Sequence, residues 1–294
     1  MTTTTTPNIA IGQPTTIGTV TIHPLYSPGS QLQTPIKLGG SIQVTERASA
    51  DVPTLTVTNN DQQPVLLLEG EIVNGGFQDR ILNTSVIVPA GASVDLPVSC
   101  VEHARWSGDS HFQRDGFRAT RRVRRTTQAG VDSSIRNYGE RRSDQGAVWE
   151  TVSRELNRLS LQHPTGSMAA ARQVDAAPIQ NLAQRGPLPD QIGVAISHGR
   201  RVVSVELFGS SDLLASAWQG IMDSAFLDTP THVRGAPSAT KVLRFINRWF
   251  NTQPVQSQGV GLGVEHRTRG ERLVAQSLTI SDIVVHASAF ALAA

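Results

Sequence analysis

The sequence holds one cysteine, Cys100, in 294 residues. A lone thiol excludes an internal disulfide and any multi-cysteine metal site, and it suits a reducing compartment. Lysine is nearly missing as well: of 26 basic residues only Lys37 and Lys241 are lysine, so the cationic chemistry is almost wholly arginine. Charged residues amount to 17%, thinner than the quarter or so found in an average soluble domain. No run approaches the roughly 18 apolar residues of a membrane helix. The N-terminus carries five threonines before Asn8 and no basic segment followed by an apolar stretch, which leads to the expectation of a soluble, cytoplasmic protein without a membrane partner. HExxH and CxxC are absent, and no two of the eight histidines stand three to five residues apart, so no metal is assigned. GxSxG and GxxxxGK[ST] are absent too, which removes the nucleophile elbow and the P-loop.

What is present divides along the chain. Hydrophobic residues make up 38%, enough to bury a core in one large domain or two lobes. Residues 1–40 read as an N-terminal extension with a first strand around Ile17, Val20 and Ile22, the first seven residues disordered and a turn at Pro28-Gly29-Ser30. Residues 41–110 read as short strands, 41–45, 54–58, 65–69, 85–88 and 93–98, broken by turn residues. Thr54-Leu55-Thr56-Val57-Thr58 alternates as a half-buried strand does.

Residues 111–294 add helices over 143–161, 211–226 and 238–250, a hairpin from 192–197 and 201–208, and a last strand near 278–285. Val148, Val152, Leu156 and Leu159 fall on one helical face, His163-Pro164-Thr165-Gly166 stops that helix, and 176–189 reads as a linker. The expectation is an α+β fold, a β-rich, sandwich-like N-terminal part packed as one unit with a mixed helical and β part.

Polar groups crowd into 69–106. Glu69 and Glu71 follow an apolar strand and precede a Gly75-Gly76 turn. Gln78, Asp79, Arg80 and Asn83 come next, then Cys100, Glu102, His103, Arg105 and Trp106. The ends of rigid strands are common places for ligand groups. The expectation is one pocket in which Glu69, Gln78, Arg80, Asn83, Arg105 and Trp106 bind ligand, Arg and Gln donating, glutamate accepting from hydroxyls and Trp106 stacking on a base. If the site is catalytic, Glu71 or Glu102 is the candidate general acid or base for hydrolysis of a glycosidic or N-glycosidic bond. The structural alternative is that the glutamates pair with Arg80 and Arg105 in a loop. Cys100 beside Glu102, His103 and Arg105 could be an activated thiolate. On a strand, however, 100 and 102 share a face and 103 points away, so a buried thiol is the better reading.

Residues 105–142 hold ten arginines against Asp109, Asp115, Asp132 and Glu140. On a helix, Arg118, Arg121, Arg122 and Arg125 would form one ridge able to grip phosphate in bidentate fashion, either a docking face for an acid-rich or phosphate-bearing partner or for self-association, or a solvated surface paired with acids. Interleaved aromatics are few and the net charge is only +2, which argues against long nucleic acid. Gly259-Val260-Gly261-Leu262-Gly263 has GxGxG spacing without a flanking strand and helix, and reads as a loop or kinked edge strand.

The successions Leu67-Leu68-Glu69-Gly70-Glu71, Gly75-Gly76-Phe77-Gln78-Asp79-Arg80, Asn83-Thr84-Ser85, Pro97-Val98-Ser99-Cys100-Val101-Glu102 and Arg105-Trp106 resemble the ARG and rhodanese-phosphatase-superfamily-associated protein domain family. Phe117-Arg118-Ala119, Ser143-Asp144-Gln145, Val148-Trp149 and the strand from Arg201 to Phe208 extend the likeness over about residues 50–230. Asp79 stands where that family usually has asparagine, and Ala104 where it has glycine. The resemblance implies a place in ADP-ribose or nucleotide-linked metabolism, hence a nucleotide- or ADP-ribose-like small-molecule ligand, and it names no reaction and no cofactor.

Overall fold

The computed structural model describes residues 8–28, 32, 34–175, 177–230 and 232–292. The disorder expected of the first seven residues, and most of the turn expected at Pro28-Gly29-Ser30, lie outside the described residues. Helix accounts for 27% and strand for 36%, so the α+β class holds. The chain divides into two compact units, one of Met1–Thr34, Ala177–Gln258 and Gly263–Ala294, the other of Pro35–Ala176 and Gly259–Leu262.

In the second of these units, six antiparallel strands close into a barrel: Ser93–Cys100, Thr54–Asn59, Ile42–Asp51, His111–Gln113, Ile72–Gly75 and Arg80–Leu82, the last pairing back to the first. This corrects the sandwich-like arrangement expected of residues 41–110. Closure pairs every edge, which two stacked sheets do not do. The alternation in Thr54–Asn59 points Leu55 and Val57 into a core with Val44, Leu82, Leu96, Val98 and Phe112. A smaller sheet joins Val86–Val88, Val65–Leu67 and Lys37–Leu38.

Helices α1 (Arg121–Tyr138) and α2 (Gln145–Arg158) belong to this unit. The α2 N-cap is Asp144, whose side chain accepts from the Ala147 amide, one residue beyond the expected Ser143. The Gly-rich stretch near 260 also belongs here. Gly261, at φ +75°, bridges to Ile87, and a Cβ on it would stand 2.1 Å from the Ile87 carbonyl oxygen. Glycine is required there for close backbone approach.

The other unit is one nine-stranded antiparallel sheet. Its central path runs Val20–Tyr26, Gly193–His198, Arg201–Phe208, Ile283–Ala291 and Leu273–Ile280. The expected hairpin is there, while the single final strand is in fact two, folded at Ser281 and Asp282, both with positive φ. Helices α3 (Ala177–Arg185), α4 (Ser211–Leu227) and α5 (Ala239–Phe250) complete it. The first of these fills 177–185 of the expected 176–189 linker, and 186–189, with Pro187 and Pro189, stay outside helix and strand. Pro178 stands in the first turn of the helix, where its missing N–H costs no hydrogen bond. Val242, Phe245, Ile246 and Trp249 of α5 pack on Leu25, Ala195, Val205, Leu207, Leu273, Ala275, Ala287 and Ala289, where small residues on the sheet admit large ones from the helix. No helix among the described residues is long and apolar enough to cross a membrane.

Candidate functional site

The Ser93–Cys100 strand ends where α2 holds it. The Gln145 amide accepts from the Cys100 N–H at 2.9 Å and donates to the Cys100 carbonyl at 2.8 Å. Beyond that clamp the chain turns out of the barrel, and Glu102 folds back beneath it, 2% exposed. Its carboxylate accepts from the Asp79 backbone amide at 2.9 Å, from Arg105 Nε at 3.0 Å to each oxygen, and from the Thr165 hydroxyl. Burial works to raise the Glu102 pKa, but the hydrogen bonds from Arg105, Thr165 and the Asp79 amide outweigh it and hold the carboxyl below its ordinary range. The Arg105 guanidinium is held correspondingly above its own, first by that hydrogen bond to Glu102.

Arg105 does more than pair with one acid. Nη1 donates to the carbonyls of Gly76 at 2.7 Å and Ser107 at 3.0 Å, and Nη2 to the Gly75 carbonyl at 3.1 Å and Asp79 Oδ1 at 3.3 Å. The loop bearing Arg105 is thereby fastened to the turn at 75–79. Gly108 lets it lie so close, since a Cβ there would stand 2.1 Å from the Gly76 carbonyl oxygen. A second loop closes the arrangement: the Thr165 carbonyl accepts from the amides of His103 and Ala104, both at 3.0 Å, and Ser167 Oγ donates to Asp79 Oδ2 at 2.5 Å. Trp106 projects from this rim 58% exposed, one of few large apolar side chains left in water.

Inside the barrel lies a second polar group. Arg80, 1% exposed, donates from Nη1 to the Gln78 carbonyl at 2.8 Å and faces Glu46 across 3.7 Å. Gln78 in turn donates to the Glu102 carbonyl at 3.0 Å and accepts from Cys100 Sγ at 2.9 Å. Burial, only partly offset by Arg80, pushes the Cys100 thiol up to about 11. A thiol pushed up this far keeps its proton at neutral pH, in keeping with the buried-cysteine reading.

Glu69 and Glu71 stand in separate ion pairs. Arg114 grips Glu71 in bidentate fashion at 2.8 and 2.9 Å. Glu69 pairs with Arg124, and Arg118 lies 3.5 Å from the same carboxylate while donating to the Glu69 carbonyl at 3.0 Å. Of the expected arginine ridge, Arg121, Arg122 and Arg125 lie on α1, while Arg118 precedes it, bridging Glu71 as an isolated strand pair. Arg122 reaches Glu155 at 3.3 Å, beside Arg158 at 2.8 Å. Asn83 belongs to a further network, accepting from Ser99 at 2.6 Å and donating to the carbonyls of Val98 and Arg141, both at 3.0 Å.

Of the eight residues expected in one pocket, Gln78, Arg80, Glu102 and Arg105 share a continuous network, and Trp106, next to Arg105 in sequence, is exposed. Glu69, Glu71 and Asn83 are engaged elsewhere in the same unit. Thr165, Ser167 and Glu46 join the site without having been anticipated. The turn His163-Pro164-Thr165-Gly166 carried a helix-stop signal only, and Glu46 sat one residue beyond the expected strand 41–45, which in fact runs Ile42–Asp51. Among the described residues no group of three or more His, Cys, Asp or Glu side chains could hold a metal ion.

The sequence pattern of the ARG and Rhodanese-Phosphatase-superfamily-associated Protein domain matches residues 8–290. No curated protein and no solved structure matches the chain.

Proposed function

Since the chain belongs to the ARG and Rhodanese-Phosphatase-superfamily-associated family, we propose that it is a non-catalytic recognition module, taking an ADP-ribose- or nucleotide-related small molecule by its base at the Trp106 rim. The observation that carries the reading is the state of the two carboxylates that would do glycosidic chemistry. Glu71 is closed by a bidentate arginine. Glu102 accepts from three donors, the Asp79 amide, Arg105 Nε and the Thr165 hydroxyl, and is held below its ordinary pKa. A general acid needs a raised pKa so that it carries a proton at working pH, and a base needs a free lone pair directed at substrate. Glu102, held below its ordinary range and hydrogen-bonded on both oxygens, suits neither role, and the Glu71 lone pairs are taken by Arg114. Trp106 is the group left open, on a loop tied down by Arg105, and an indole face stacks on any base at a small entropic cost because the loop is already ordered.

The test pairs binding with turnover. Purified protein is screened by thermal shift against ADP-ribose, NAD and nucleotides, and the same mixtures are followed by chromatography for released base or sugar. Stabilisation without product is the expected outcome. Product that forms with the wild type and is lost in Glu102→Gln would make the protein a hydrolase.

A further inference from the structure

We infer that the Trp106 rim reads the uncharged nucleoside end of its ligand and discriminates against phosphate. The inference rests on the proposed base-binding role of Trp106 and narrows it to a ligand class.

The argument is an accounting of donors. A guanidinium offers five N–H groups. In Arg105, the Nε–H goes to Glu102, the two on Nη1 go to the carbonyls of Gly76 and Ser107, and the two on Nη2 go to the Gly75 carbonyl and Asp79. Every donor is used within this chain, so the arginine nearest Trp106 in sequence has none left for a phosphate oxygen. Arg172, which approaches the same turn through Asn74 at 3.2 Å, is paired with Asp115 at 2.9 Å and stacks on the Phe117 ring.

Formal charge points the same way. Asp79, Glu102 and Asp109 stand against Arg105 alone, leaving the rim two negative charges in excess, and the other titratable side chains of the two loops are His103 and His163. An incoming phosphate meets repulsion and finds no spare N–H on Arg105, whereas a base and ribose bring donors and no charge. For two negative charges facing a phosphate about 10 Å away in salt, Coulomb repulsion amounts to about three- to tenfold in affinity.

Tryptophan fluorescence titration of the full chain with adenosine, AMP and ADP-ribose at two salt concentrations tests this. Expected are quenching by adenosine at about three- to tenfold lower concentration than by AMP or ADP-ribose, a gap that narrows at high salt, and a narrower gap in Asp79→Asn. That substitution keeps an acceptor for Arg105 and removes one charge. Equal or tighter binding of the phosphorylated ligands overturns the inference and leaves the base-binding role standing. No quenching by any of the three, or the same quenching in Trp106→Ala, overturns the base-binding role itself and the inference with it.

Discussion

Glu69 and Glu102 are both buried glutamates closed by arginine, yet they differ in which partner meets water. At Glu69 the pair is sealed, with the side chains of Arg118 and Arg124 exposed by 2% and 4%. At Glu102 the arginine is exposed by 25% and the next residue is an open tryptophan. The same chemistry thus serves two ends. A sealed pair repays its desolvation only through complete hydrogen bonding, and so acts as a clamp between segments distant in sequence. An open pair costs less to hold and can orient a loop whose outer side stays available. The contrast separates a structural carboxylate from one that shapes a recognition surface, although both follow strand ends and both looked alike in the sequence.

The largest effect is expected at the sealed end. Glu69→Ala leaves two buried guanidinium groups without their carboxylate and should cost about 3–5 kcal/mol of unfolding free energy, read by urea denaturation. If Glu102→Ala costs as much, the distinction between the two sites collapses. Arg105→Ala comes next, at about 1.5–3 kcal/mol for hydrogen bonds to a charged group, with faster proteolysis inside residues 103–110 as the local readout. Unchanged cleavage there would mean that the loop is held by something other than Arg105.

The third effect is on pH dependence. The Glu102 carboxyl has its folded pKa below the ordinary 4.5, so its contribution is present above the unfolded value and is lost as pH falls through the folded one. The stability difference between wild type and Glu102→Gln should therefore be steady near pH 7 and shrink on acidification below about pH 4.5. A difference that grows on acidification contradicts the assignment. The smallest effect belongs to Trp106→Ala, which should change stability by no more than about 0.5 kcal/mol as a surface substitution. A larger loss would place the indole in packing.

Much of the fold was legible where one period or one punctuation mark dominated. The alternation of Thr54–Asn59, the hairpin of Gly193–His198 with Arg201–Phe208, and the apolar faces of α4 and α5 all lie within a residue or two of expectation. Barrel closure was not legible, because it depends on Arg80–Leu82 pairing with Val98 to Cys100, a contact fixed by tertiary geometry and not by local pattern. The polar cluster announced itself by density, but its partition did not. Residue types cannot show that Arg114 takes Glu71, or that Arg118 and Arg124 take Glu69, since these partners lie 43 to 55 residues away. Thr165 was hidden for another reason: threonine beside proline and glycine carries a turn signal that masks a side chain 63 residues from the carboxylate it meets.

The central claim is that Trp106 is the ligand-contacting group and the buried carboxylates only shape its loop. The most direct measurement is a paired thermal-shift titration of wild type and Trp106→Ala with adenosine. At about 100 times the dissociation constant, wild type should gain about 2.7 kcal/mol of apparent stability, while Trp106→Ala, equally stable without ligand, gains little or nothing. Equal stabilisation of the two proteins would contradict the account.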